Sequence, residues 1–252
     1  MANKIEIQNL HKTFGAHKVL NGVDLVIPTG QTTVILGGSG SGKSVLLKCI
    51  LGLTTPEQGK VLIDGKNTVN LRENERYKLM TKFGMLFQSG ALFDSMNNWE
   101  NVAFGLLERK MNRRQARDIA VSKLRMVGLK PDVADKMPSE MSGGMRKRVA
   151  LARAICLEPE IIFYDEPTTG LDPITSDVIN DLILKLKEEL NITSVVITHD
   201  MTTAFKVGDY VSMIYDGKII ARDTAAKMQK IDNPFVQQFI HGRAEGPIQV
   251  GR

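Results

Sequence analysis

The chain predicts an α/β fold with a mainly parallel sheet, an antiparallel β region at its N-terminal end and an inserted run of helices. Three observations predict it. Short apolar strands alternate with helices from Thr33 onward and again from Ile161, the pattern of parallel strands joined by helical crossovers. One of these strands runs directly into a glycine-rich turn and a helix, Gly37 to Ser44. From Ser89 to about Cys156 the strand pattern gives way to helical periodicity.

Ile5, Ile7 and Leu10, then Val19, Val23, Leu25 and Ile27, alternate with other residues and are broken by Gly15, Gly22 and Pro28-Thr29-Gly30. This reads as short antiparallel strands. Phe14 lies among them, either a core ring or a platform for an adenine. Thr33-Val34-Ile35-Leu36 then leads into Gly37-Gly38-Ser39-Gly40-Ser41-Gly42-Lys43-Ser44, and Val45 to Ile50 continue as a helix without a breaker. In that setting G-x-x-x-x-G-K-S is a phosphate-binding loop. Glycines let successive N–H groups turn inward, and the helix N-terminus adds partial positive charge. Lys43 would reach the β- and γ-phosphates of a nucleoside triphosphate, and Ser44 would hold Mg²⁺.

Thr54 to Gly59 is a turn, Lys60 to Ile63 a strand closed by Asp64-Gly65, and Phe83 to Phe87 a buried strand ending at Gln88. That strand-end position makes Gln88 a candidate to reach the nucleotide. In the helical stretch, Asn112 caps a helix with Gln115 three residues on, an apolar stripe of Ile119, Leu124 and Val127, and Gly128 at its end. A second helix starts near Gly144. Its preceding Met141-Ser142-Gly143-Gly144-Met145 is either a helix cap made by Ser142 or a second phosphate site.

Ile161 to Glu166 is an apolar strand ending in two carboxylates. Asp165 can hold Mg²⁺ through water while Glu166 orients or deprotonates the attacking water, although two solvated acids would look the same. Asp172-Pro173 opens a helix running to Leu190, an excellent start by capping alone. Strand Ser194 to Thr198 ends at His199, which can donate a hydrogen bond to a γ-phosphate or serve structure. Asp216-Gly217 turns a hairpin. Beyond it, residues 223–252 show weak helical character around Ala225 to Ile231, then Pro234 and a Gly- and Pro-containing end.

At 252 residues, 42% hydrophobic and 24% charged, the composition is that of a soluble globular protein with a sizeable core. The net charge of +5 is modest, and the clusters Arg109-Lys110, Arg113-Arg114 and Arg146-Lys147-Arg148 read as solvated faces. Charge alone does not choose between nucleic acid, which is poorly supported and not expected as a partner, and a basic surface held near anionic lipid headgroups. Cys49 and Cys156 have no metal-ligand spacing and read as small buried apolar residues in a reducing compartment. The opening residues lack a signal-peptide core and no apolar run is long enough to span a bilayer, so a membrane function would need another chain.

Taken together, the segments over roughly residues 4 to 222 resemble the nucleotide-binding subunit of ATP-binding cassette transporters. The resemblance implies a P-loop NTPase core of the RecA type over residues 1–222, with a helical subdomain at about 89–156 and a C-terminal extension at 223–252. It places Phe14 at the adenine-stacking position and makes Gly37 to Ser44, with Val45, the Walker A segment. Gln88 becomes the Q-loop and a ligand of Mg²⁺ with Ser44 and Asp165, and Ser142, Gly143 and Gly144 the signature. Ile161 to Glu166 becomes Walker B with its catalytic glutamate, Gly170-Leu171-Asp172 the D-loop, and His199 the switch histidine. Met141 and Met145 replace the usual leucine and glutamine of the signature, and Phe14 the commoner tyrosine.

The methionine ending the signature, the segment Phe87 to Met96 and the tail Phe239 to Pro247 resemble the Mla or MCE-associated branch, whose members power phospholipid traffic between bacterial membranes. The resemblance implies hydrolysis of ATP to ADP and phosphate by a head-to-tail homodimer on the cytoplasmic face of the inner membrane. Its implied partners are integral permease subunits of the MlaE type, an MCE-domain protein and a STAS-domain accessory protein. Ala91, Leu92, Phe93 and Trp99 would form the groove that receives the permease, or a satellite core. The tail would contact a neighbouring subunit or lie on the surface. The alternatives are a soluble cassette acting on nucleic acid or ribosomes, and an importer or exporter subunit for another substrate.

Overall fold

The computed structural model describes residues 2–249. In chain order the elements are β1 (Asn3–Phe14), β2 (His17–Pro28), β3 (Thr32–Leu36), α1 (Lys43–Ile50), β4 (Gln58–Ile63), β5 (Lys66–Asn67), α2 (Glu73–Met80), β6 (Phe83–Leu86), α3 (Asn98–Glu108) and α4 (Arg113–Met126). They continue as α5 (Gly143–Ala154), β7 (Ile161–Asp165), α6 (Pro173–Leu190), β8 (Thr193–Thr198), α7 (Met201–Val207), β9 (Tyr210–Tyr215), β10 (Lys218–Thr224), α8 (Ala225–Met228) and α9 (Pro234–Ile240). The chain forms two compact units, one from the segments up to Arg76 and from Val195 onward, the other from Tyr77–Ser194.

The first unit holds an antiparallel sheet in the order β2-β1-β4-β5. Its two leading strands run for 12 residues each instead of the short strands expected. Of the glycines expected to break them, Gly15 makes the turn between β1 and β2, while Gly22 sits at a bulge inside β2, where Leu10 faces Val23 and His11 faces Asn21. The register shifts between Ile7 and Leu10, where Asn9 takes a φ of 44°, and a Cβ on Gly59 would lie 2.4 Å from the Asn9 carbonyl oxygen. A bulge absorbs the extra residue and lets the strand continue.

The same unit carries β10, β9, β3 and β8 side by side. β3 is buried throughout and pairs in parallel with β9, as a strand covered on both faces must. Asp216 (φ 46°) and Gly217 (φ 68°) make the tight turn from β9 to β10, the two left-handed residues of a type I′ hairpin. Pro234 opens α9 instead of ending the helical tail. Asn233 accepts hydrogen bonds from the Phe235 and Val236 amides, and proline is pre-shaped for a first helical position.

In the second unit β6 pairs in parallel with β7, Leu86 opposite Tyr164. The loops carrying Gln88 and Asp165-Glu166 therefore leave the same end of this strand pair. From Ser89 to Cys156 every regular element is helical. Asn97 and Glu100 close a capping box on α3, Asn112 caps α4 and Ser142 caps α5, each worth about 1 kcal/mol. Asn101 is fully buried and its amide ties the Phe93 backbone and the carbonyls of Met96 and Asn97. Trp99 packs into the core at 6% exposure, leaving Phe87 and Phe93 on the surface. Among the described residues no helix is long and apolar enough to cross a membrane.

Candidate nucleotide site

The phosphate loop is shaped by close approach. A Cβ on Gly37 would lie 2.5 Å from the Ile214 carbonyl oxygen, so only glycine lets the chain leave β3 pressed against β9. Gly42, at φ 105°, occupies the N-cap of α1 with no side-chain cap, and the first turn carries no acidic residue. A first turn with neither a capping side chain nor an acidic residue suits an anion. Lys43 is buried and its Nζ donates to the carbonyls of Gly37 at 2.7 Å and Gly38 at 2.8 Å. This holds the ammonium over the loop. Ser44 follows, exposed, and Val45 half-buried.

Phe14 ends β1 with half its surface exposed and the Lys12 ammonium 5.1 Å from its ring centre. An exposed ring at a strand end is not core, which supports the stacking role. His199 follows β8 and is exposed. The next residue, Asp200, caps α7 through the Thr202 and Thr203 amides.

The tail returns to the phosphate loop of its own unit. Phe239, Arg243 and Ile248 line a cavity of about 580 Å³ together with Gly38 to Ser41 and Asp216. Gln238 fastens the tail: its amide donates to the carbonyls of Arg243 and Ile248, and its carbonyl accepts from the Ile248 amide.

In the second unit Gln88 and Asp165 line one cavity of about 480 Å³ with Phe87, Ser89 and Thr169. Glu166 adopts a left-handed φ of 48° directly after β7, a costly conformation for a residue with a side chain. Its carboxylate accepts from Thr169 Oγ1 at 3.2 Å. Its carbonyl accepts from Lys147 Nζ at 3.3 Å, and the same ammonium donates to the Gln88 carbonyl. Burial pulls the Lys147 pKa down, while Asp165 and Glu166 oppose that change.

The reading of Arg146-Lys147-Arg148 as a solvated face fails at Lys147, which is 5% exposed. Arg153, further along α5, donates to the carbonyls of Gly90 and Ala91. Sequence alone missed both residues. For Arg153 the available signal was its place between the apolar, buried Ala152 and Ala154, whereas Lys147 stands between two arginines and carried none. Gly144 has a packing reason beside any phosphate role: a Cβ there would lie 2.5 Å from Thr175 Cγ2 on α6. Asp172 caps α6, and the hydroxyl of Thr175 beside it holds its carboxyl below the usual range.

The family model described as ABC transporter matches residues 20–169, more than half of the chain. The chain belongs to the ABC transporter family. Over 248 residues this cassette is 43% identical to the intermembrane phospholipid transport system ATP-binding protein MlaF of Haemophilus influenzae, covering 98% of this chain and 94% of that protein. It is also 43% identical over 249 residues to the probable ribonucleotide transport ATP-binding protein mkl of Mycobacterium leprae, covering 98% of this chain and 72% of the relative. Among solved structures, the ATP-binding cassette MJ0796, a dimer in a post-hydrolysis state bound to ADP and Pi, superposes with a TM-score of 0.80 at 34% identity. That match covers 88% of this chain and 98% of the other.

Membership of this family makes the fold that of a P-loop ATPase. Each unit carries oxygen donors of the hard kind that Mg²⁺ takes beside phosphate: the Ser44 hydroxyl in the first, the Gln88 amide and the Asp165 carboxylate in the second. Gln88 and Asp165 facing one cavity is consistent with that set.

Proposed function

We propose that this cassette hydrolyses ATP to ADP and phosphate as a head-to-tail homodimer, and that it drives phospholipid transport through integral permease subunits of the MlaE type at the inner membrane. The observation that carries the hydrolytic reading is the uncapped start of α1, with Lys43 held over the phosphate loop by the Gly37 and Gly38 carbonyls. In this reading Lys43 turns to the β- and γ-phosphates, the loop amides of residues 38–45 wrap them, and Phe14 stacks on adenine. Ser44, Gln88 and Asp165 would hold Mg²⁺, which would supply neutralisation of the phosphate charge. Glu166 accepts a proton from the attacking water as that water's oxygen bonds to the γ-phosphorus and the bond to the ADP oxygen breaks. His199 donates to the γ-phosphate, and Ser142, Gly143, Gly144 and Asp172 of the second copy complete the site.

The phospholipid cargo rests on the MlaF match, which spans nearly all of that protein. The mkl match at equal identity favours a second reading, ribonucleotide transport. In either reading the chain works on the cytoplasmic face, attached to membrane subunits, and an MCE-domain and a STAS-domain protein belong to the first. Glu166→Gln tests the chemistry: it is expected to keep ATP affinity, lower turnover by about 10²–10⁴-fold and trap an ATP-bound dimer on gel filtration. Normal steady-state hydrolysis in that variant removes the assignment. The cargo is tested by lipid identification and by hydrolysis of the membrane complex with phospholipid against ribonucleotide.

A further inference from the structure

A buried ammonium is expensive unless its charge and its donors are answered. Lys147 lies on α5, five residues after the Ser142 cap, and is buried. It is held by two backbone carbonyls from separate loops, Gln88 after β6 and Glu166 after β7. Both loops leave the carboxyl end of one parallel strand pair, beyond the reach of the sheet's own hydrogen bonds. Arg153 extends the same clamp to Gly90 and Ala91. The segment 88–91 is thus gripped by one helix, the helix that begins at the signature. Glu166 keeps a costly left-handed backbone, and its carbonyl is held both by Lys147 and by the Thr169 amide at 3.3 Å.

We propose that Lys147 is a positioning residue for hydrolysis: its ammonium ties the Gln88 backbone to the Glu166 backbone, so that Glu166 is aimed only while the Gln88 segment is seated on α5. This rests on the roles proposed above for Gln88 and Glu166. A displacement of the Gln88 segment loosens Lys147 and, through it, the carbonyl of Glu166, while nucleotide affinity, set by the phosphate loop, is untouched.

The test uses the full chain and compares Lys147→Met, Lys147→Arg and Glu166→Gln. Methionine keeps length and removes all donors. Expected for Lys147→Met is a fall in kcat of about 10–100-fold, the scale of an ångström-level misplacement, with KM and ATP dissociation constant within about threefold of the parent. Lys147→Arg, which keeps charge and donors, is expected to recover kcat to within about fivefold. ATP-binding stoichiometry near one per chain confirms folded protein. A parental kcat for Lys147→Met overturns the proposal, and so does a loss of stoichiometry in proportion to kcat, the mark of plain destabilisation. If Lys147→Met does not purify folded, Lys147→Leu, which likewise has no donor, replaces it, and kcat within twofold of the parent overturns the proposal equally. Failure of the underlying reading is separate: there Glu166→Gln itself turns over normally, and the positioning role falls with it.

Discussion

Lys43 and Lys147 are two buried lysines with different legibility. Lys43 belongs to a contiguous pattern, so its place over the Gly37 and Gly38 carbonyls follows from its neighbours in the chain. Lys147 binds carbonyls 59 and 19 residues away, and no local pattern encodes that. The cysteines were legible by the absence of ligand spacing, and Cys49 and Cys156 are indeed buried. Burial pushes both thiols up from the ordinary 9.0 to about 11. The neutral thiol is the folded form, so its stabilisation is complete below about pH 9 and declines as pH rises from 9 to 11. Thiols so raised carry about 100-fold less thiolate near pH 8 than those of the unfolded chain. Iodoacetamide at pH 8 should therefore label these cysteines about 100-fold more slowly in native protein than in urea, read by mass spectrometry, and the urea midpoint should drop between pH 9 and 11.

At the scale of elements, capping residues made several boundaries readable. Asp172-Pro173 predicts α6 from Pro173 to Leu190, and Asn112 the start of α4, because a cap acts within three residues. Glycine in the leading strands and Pro234 in the tail were less readable, since a bulge or a first helical turn depends on what packs alongside. The contact of α5 with α6 is a case where a signature residue has a second duty. Gly144→Ala would drive a methyl into Thr175 Cγ2, while the Thr175 hydroxyl is held by Asp172 and cannot easily swing aside. The expected cost is about 1–3 kcal/mol, measured by urea unfolding. Thr175→Ser deletes the Cγ2 and keeps the hydroxyl, so the pair Gly144→Ala and Thr175→Ser should regain most of that loss. A double variant no more stable than Gly144→Ala alone would show that the clash is not the cause.

For the whole molecule, the proposed head-to-tail dimer makes each site a composite of one chain's phosphate loop and the other's signature. Mixing two defective chains tests that arrangement. Lys43→Ala, expected to weaken ATP binding strongly, and Ser142→Glu, expected to repel the γ-phosphate, should each be inactive alone. Mixed at equal amounts, half the dimers carry one chain of each kind, with both defects in one site and the other site intact. About 25% of parental sites should return. No recovery, with exchange of subunits shown by light scattering, would argue for sites contained within one chain.

What the sequence alone determined is whatever depends on adjacent residues. The strand, loop and helix at Gly37 to Ser44, the caps of α4 and α6, the Asp216-Gly217 turn and the carboxylate pair ending β7 all act through backbone groups a few positions away. Tertiary structure decided the rest. It buried Lys147 while leaving its neighbour Arg146 exposed, folded Phe239 and Arg243 against the phosphate loop, and took Trp99 into the core while Phe93 stayed outside. The physical reason is common to these cases: burial, and with it the need of a charge or a carbonyl for a partner, is set by segments distant in the chain.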